Sequence, residues 1–111
     1  MNKKLCVARR ITGHDGRLEY YLTENRFEDI KNGISTMVFG VEIRKITIDE
    51  KGVELIQRNV ADELSVERQR VLDFLYVLSD MEVMPVSLKD IAEDFVQDDF
   101  FIESSMSEKS A

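Results

Sequence analysis

His14 and Asp15 stand side by side in a turn bracketed by Gly13 and Gly16, and an imidazole next to a carboxylate is a pair that can move protons. The sequence sets no Ser or Cys nucleophile beside it, and turns recruit polar residues for their own hydrogen bonds, so the pair is read as turn chemistry. Cys6, the single cysteine, would become a nucleophile if Lys4 or Arg9 lowered its pKa, but a strand cysteine is more often a small buried hydrophobe. The acids Asp90, Glu93, Asp94, Asp98 and Asp99 could offer oxygens to a divalent cation. A calcium loop interleaves its acids with a glycine at a sharp turn, however, and no such glycine is present, so they read as a solvated helix face. The Gly13 to Gly16 turn joins two strands, whereas a phosphate-cradling glycine loop needs a strand followed by a helix. Leu88 to Glu93 has the look of the first helix of a helix-turn-helix. The chain then continues into Asp98-Asp-Phe-Phe-Ile rather than a turn and a basic recognition helix, and that segment would repel phosphates. These residues therefore assign no catalytic group, no metal site and no cofactor.

The elements that would position any site are legible from periodicity. Leu5, Val7 and Ile11 alternate along a first strand from Lys3 to Ile11, with Cys6, Ala8 and Arg10 on its other side. Leu18, Tyr20 and Leu22 alternate along a second, completing a hairpin. Asn25 and Glu28 resemble a capping box and Asn32-Gly33 a helix stop, which predicts one or two helical turns pinned by Phe27 and Ile30. The central strand runs from Met37 to Ile48, and its alternation slips at Arg44 and Lys45, which predicts a β-bulge there. Asp49 to Gly52 makes the next turn and leads into a strand from Val53 to about Val60. Ser65 then precedes a helix striped by Val71, Phe74, Leu75 and Leu78, with Leu72 and Val77 widening the stripe enough for two packing partners. Glu82 to Val86, around Pro85, is expected to be extended and could form a short edge strand. Ser87 caps a second helix striped by Leu88, Ile91, Ala92, Phe95 and Val96 and ending near Gln97, because Asp98 and Asp99 oppose the helix dipole. The expected fold is α+β: a four-stranded antiparallel sheet over residues 3 to 60 with two C-terminal helices on one face.

The 111 residues suit one domain, expected over 1–102, with a polar disordered tail over 103–111. No apolar run approaches the ~20 residues of a membrane span. The short run after Lys3 and Lys4 stops at Arg9, so neither a signal peptide nor a membrane partner is expected. A single cysteine gains nothing from an oxidising compartment, which points to the cytoplasm. The net charge of −7 disfavours nucleic acid as a partner. Residues 1 to 17 carry five basic side chains against one Asp, and 80 to 100 carry seven acids against Lys89, which reads as two solvated faces of opposite sign.

Tyr20 to Glu24, Phe39 to Ile43, the helix from Ser65 to Leu78 and the run from Val83 to Val96 occur in an order and spacing that resembles a family of small proteins from clostridia and related Firmicutes, catalogued only as a domain of unknown function. The resemblance implies a bacterial, cytoplasmic protein and brings no activity and no functional residues. The residues themselves point to a non-enzymatic module working through protein contacts. Its expected partner-binding residues are Phe100, Phe101 and Ile102, three large apolar side chains in a polar terminus that must dock on the same chain, on a protein partner or in a weak homodimer. The alternative is a small-ligand binder or minor enzyme on the sheet face left bare by the helices, where Tyr20 or Tyr21 and Cys6 would line a pocket.

Overall fold

In the computed structural model, which describes residues 2–11, 13 and 15–96, the alternating first half of the chain forms an antiparallel meander. Strands β1 (Asn2–Arg10), β2 (Arg17–Asp29), β3 (Ile34–Ile48) and β4 (Glu54–Ser65) lie in the sheet in chain order. Helix α1 (Arg68–Asp80), a 3-10 turn (Pro85–Ser87) and helix α2 (88–96) cover one face, giving the expected α+β architecture. Leu18, Tyr20 and Leu22 of β2 and Val41 and Ile43 of β3 meet Val71, Leu75 and Leu78 of α1, together with Val83 and Leu88, in one apolar core. Helix α1 does find two partners, its buried residues facing the sheet and Phe74 stacking on Phe95 of α2 with ring centroids 4.3 Å apart, but Val77, expected to widen the stripe, is exposed. The Tyr20 hydroxyl donates to the Val83 carbonyl at 3.0 Å, and Asn59 Nδ2 donates to the Pro85 carbonyl at 3.1 Å. These bonds tie the segment between the helices to the sheet.

Several expectations are corrected. There is no helical turn after Asn25, because β2 continues to Asp29 and pairs residue for residue with β3, from Asn25 opposite Val38 to Asp29 opposite Ile34. A helix of six or seven residues cannot sustain itself, whereas a ladder satisfies every second backbone group at once. Asn32 N–H donates to Asp29 Oδ1 and Gly33 adopts a φ of 64°, so the polar residues build a tight turn, with Phe27 and Ile30 left exposed. The predicted bulge at Arg44 and Lys45 is also absent, since pairing there is regular on both sides. The slip in alternation marks a change of face: Ile46 is buried on the side away from the helices. The irregularities fall between Leu5 and Val7 and between Phe39 and Val41. The first puts Leu5 opposite Tyr21 and Val7 opposite Tyr20, so Leu5 and Val7 lie on opposite faces. The second extends β4 to Ser65, where Phe39 is its partner. Ser65 accordingly ends a strand, its Oγ accepting from Glu67 N–H, and α1 begins three residues later. Glu82 to Val86 forms no edge strand: Met84 is extended as expected, but Pro85 and Val86 already belong to the 3-10 segment, because Pro85 suits the first position of a helix and cannot donate to a ladder.

Candidate functional site: the open face of the sheet

The helices cover one face of the meander, and the other face is built by every second residue of each strand. The strand register arranges its centre in rows. Leu5, Tyr21, Glu42 and Val60 are successive partners across the four strands, and Ala8, Glu19, Arg44 and Arg58 form the adjacent row. Arg44 and Arg58 are therefore directly opposed, an arrangement that repels unless an anion lies between them.

Glu42 is that anion. Its side chain has no solvent exposure, and three cations reach it: Arg44 Nε at 2.6 Å and Lys3 Nζ at 3.2 Å on Oε2, and Arg58 Nη2 at 3.2 Å on Oε1. Burial pushes the Glu42 carboxyl up, but the bonds from Arg44, Lys3 and Arg58 outweigh it and hold the group below its ordinary value. The bond to Glu42 in turn raises Arg44 above its ordinary value. Lys3 Nζ and the Arg44 guanidinium sit 5.3 and 5.1 Å from the centre of the Tyr21 ring, within cation–π range. The Tyr21 hydroxyl donates to Glu19 Oε1 at 2.8 Å, and Arg17 Nε bonds the other oxygen at 3.2 Å. Burial, and then the Glu19 bond, raise the Tyr21 hydroxyl above its ordinary value.

The cluster holds three positive charges and one negative, a local balance of 3 − 1 = +2 on a chain of −7. Arg44 and Arg58 each give Glu42 a single nitrogen, so both keep N–H donors for an acceptor from outside. Nothing in the group is a nucleophile with a base beside it. What it can do chemically is recognise negative charge next to an aromatic ring.

Of the residues singled out from sequence, Tyr21 joins this group, its ring lying against Lys3 and Arg44. Tyr20 lies under the helices and Tyr21 on the open face, while the Cys6 thiol donates to the Lys4 carbonyl two residues back at 3.5 Å. His14 and the segment from 97 onward, including Phe100, Phe101, Ile102 and the tail, lie outside the described residues. Asp90, Glu93 and Asp94 are exposed along α2. Among the described residues, no three His, Cys, Asp or Glu side chains gather as metal ligands, and no helix is long and apolar enough to cross a membrane. The signal for the cluster was present in the turn at Asp49 to Val53, which fixes Arg44 opposite Arg58 and sets Glu42 one step along the same face.

A family model described as a family of unknown function, DUF6514, matches residues 2–98, which span all four strands and the described part of both helices. The chain belongs to that family. No curated protein and no solved structure matches it. The DUF6514 match takes in Lys3, Glu42, Arg44 and Arg58 and ends before Phe100.

Proposed function

We propose that this is a non-enzymatic cytoplasmic protein of a clostridial or related Firmicute bacterium. It acts as an interaction or regulatory module, and its contact surface is the open sheet face. The observation that carries this reading is the Glu42 cluster: a buried carboxylate holds two arginines and a lysine in fixed positions on the face that neither described helix covers, with donors to spare. Arginine and aromatic side chains are the types enriched at protein interfaces. Here they are ordered before any partner arrives, which lowers the entropic cost of binding. The partner chemistry that fits is an acidic protein segment with an apolar residue beside its carboxylates, to lie against Leu5, Tyr21 and Val60. The same donors suit the carboxylate or phosphate of a small ligand, which keeps a ligand-binding reading as the second outcome.

The test is affinity capture from the native cell with the parent chain and with a Lys3→Ala, Arg58→Ala double variant. Arg44 remains on Glu42 in that variant, and thermal melts establish that it is folded. The expected result is a protein retained by the parent and lost from the variant. Equal retention by both would refute the open face as the contact surface, and a small anion retained in place of a protein would favour the second reading.

A further inference from the structure

Strand β4 closes one side of the sheet, and its outer edge runs along Glu54 to Val60. The turn fixes which backbone groups point outward. Asp49 N–H donates to the Val53 carbonyl at 2.9 Å, and bonding alternates from there along an antiparallel pair. Leu55 and Gln57 therefore bond inward to Thr47 and Lys45, while Glu54, Ile56 and Arg58 present their N–H and C=O groups outward. Ile56 on the open face and Val53 and Leu55 on the other are each more than half exposed. An edge that is apolar on both sides invites another strand.

We propose that this edge pairs antiparallel with β4 of a second copy of the chain, about a twofold axis through Ile56, joining the two sheets into one. The charges select the axis. Centred on Ile56, Glu54 faces Arg58 of the second copy, and symmetry repeats the pair; the two Ile56 residues meet each other and Leu55 meets Gln57. An axis through Glu54 or Arg58 would oppose like charges. An axis through Leu55 or Gln57 would set Glu54 or Arg58 against Ile56 and leave the charges unpaired. Opposite charges facing across strands stabilise a pair and like charges destabilise it. Arg58 spends one nitrogen on Glu42, so its guanidinium can serve both carboxylates. In such a dimer both Glu42 clusters lie on one continuous face. The pairing goes beyond the open-face reading and does not depend on it.

Sedimentation of the full chain from about 1 μM to 1 mM, spanning weak to moderate affinity, is expected to show a reversible dimer. Glu54→Arg, on an exposed side chain, is expected to raise its dissociation constant about tenfold or more with the thermal midpoint of the diluted protein unchanged. In a Cys6→Ala background, Ile56→Cys is expected to form an interchain disulfide under mild oxidation, because residues in a hydrogen-bonded antiparallel pair lie about 5.5 Å apart at Cα. Gln57→Cys, whose counterpart is offset along the strand, is expected to crosslink far less. A monomer throughout the range overturns the proposal, as does a dimer indifferent to Glu54→Arg or one that crosslinks no better through Ile56→Cys than through Gln57→Cys.

Discussion

Replacing Glu42 with Gln keeps the shape of the side chain and removes its charge, which isolates what the carboxylate does for the fold. In the parent, Oε2 accepts from Lys3 and Arg44 and Oε1 from Arg58. An amide can present its oxygen to one side only, so its NH2 group confronts at least one of the cations, donor against donor. Lys3 and Arg44 stay cationic in the variant, so the two bonds that survive pass from ion pairs to bonds between a cation and a neutral amide oxygen, and each is expected to lose about 1 kcal/mol within the ~1.5 to 3 kcal/mol of a hydrogen bond to a charged group. The third disappears, but its partner Arg58 is 54% exposed and regains water, so that loss is discounted to well under 1 kcal/mol. The expected total is about 2 to 3 kcal/mol. With an unfolding entropy of about 2.1 cal/mol/K per residue over roughly 95 described residues, each kcal/mol moves the midpoint about 5 °C, so the variant should melt about 10 to 15 °C lower.

The pH dependence separates charge from packing. The Glu42 carboxyl is held below its ordinary value in the folded state, so its stabilisation is full above the unfolded value and is lost as pH falls through the folded one. The gap between parent and variant, followed by thermal melts from pH 7 down to 3, should be widest at pH 7. It should begin to close below the ordinary carboxyl range near 4.5. A gap that stays constant over that range, or no gap at pH 7, would refute the argument that three cations hold an ionised Glu42.

A Cβ at Gly40 would overlap the Ala61 carbonyl oxygen and lie 2.5 Å from Asp62 Cα; Gly40→Ala should therefore cost ~3 kcal/mol in urea unfolding by forcing β3 and β4 apart. Tyr20→Phe strands the buried Val83 carbonyl and should lose ~1 to 2 kcal/mol. Burial is the main reason the Tyr20 hydroxyl is pushed up to about 12, against the pull of Arg9 and with the help of Glu82. The parent should thus lose stability as pH rises from 10 to 12, and Tyr20→Phe should lose less over the same range. Phe100→Ser with Phe101→Ser should lower the thermal midpoint of a monomer or shift a concentration-dependent dimer toward monomer; no change in melts or sedimentation would show that neither ring docks.

The parts of the fold readable in the sequence are those where one physical signal acts alone. Leu18, Tyr20 and Leu22 alternate with nothing competing, and Val71, Phe74, Leu75 and Leu78 recur at helical spacing, so β2 and α1 were plain. Asn25 to Glu28 carries two signals, a cap pattern and a strand continuation, and only the ladder with Val38 to Ser35 decides between them. Ile46 misled for a related reason, since an apolar residue on the wrong parity can mean a bulge or a face that is itself partly apolar. The Glu42 cluster needed all four strands in register, with Lys3 of β1 arriving across β2 from 39 residues away. The residues that drew notice as chemistry, His14, Cys6 and the acidic helix, were noticeable by type, whereas the cluster is defined by position.

The sheet's strand order repeats the order of the chain. Each pairing can therefore form by closing a short connection, over 11–16, 30–33 or 49–53, without waiting for a distant segment. Contacts this local lower the entropic barrier to folding and favour rates at the fast end for a β-rich domain. The β2–β3 hairpin has the shortest connection and the longest unbroken ladder, which makes it the natural nucleus onto which β1 and β4 zip. The helices are synthesised after all four strands, so a nascent chain can complete its meander before α1 leaves the ribosome.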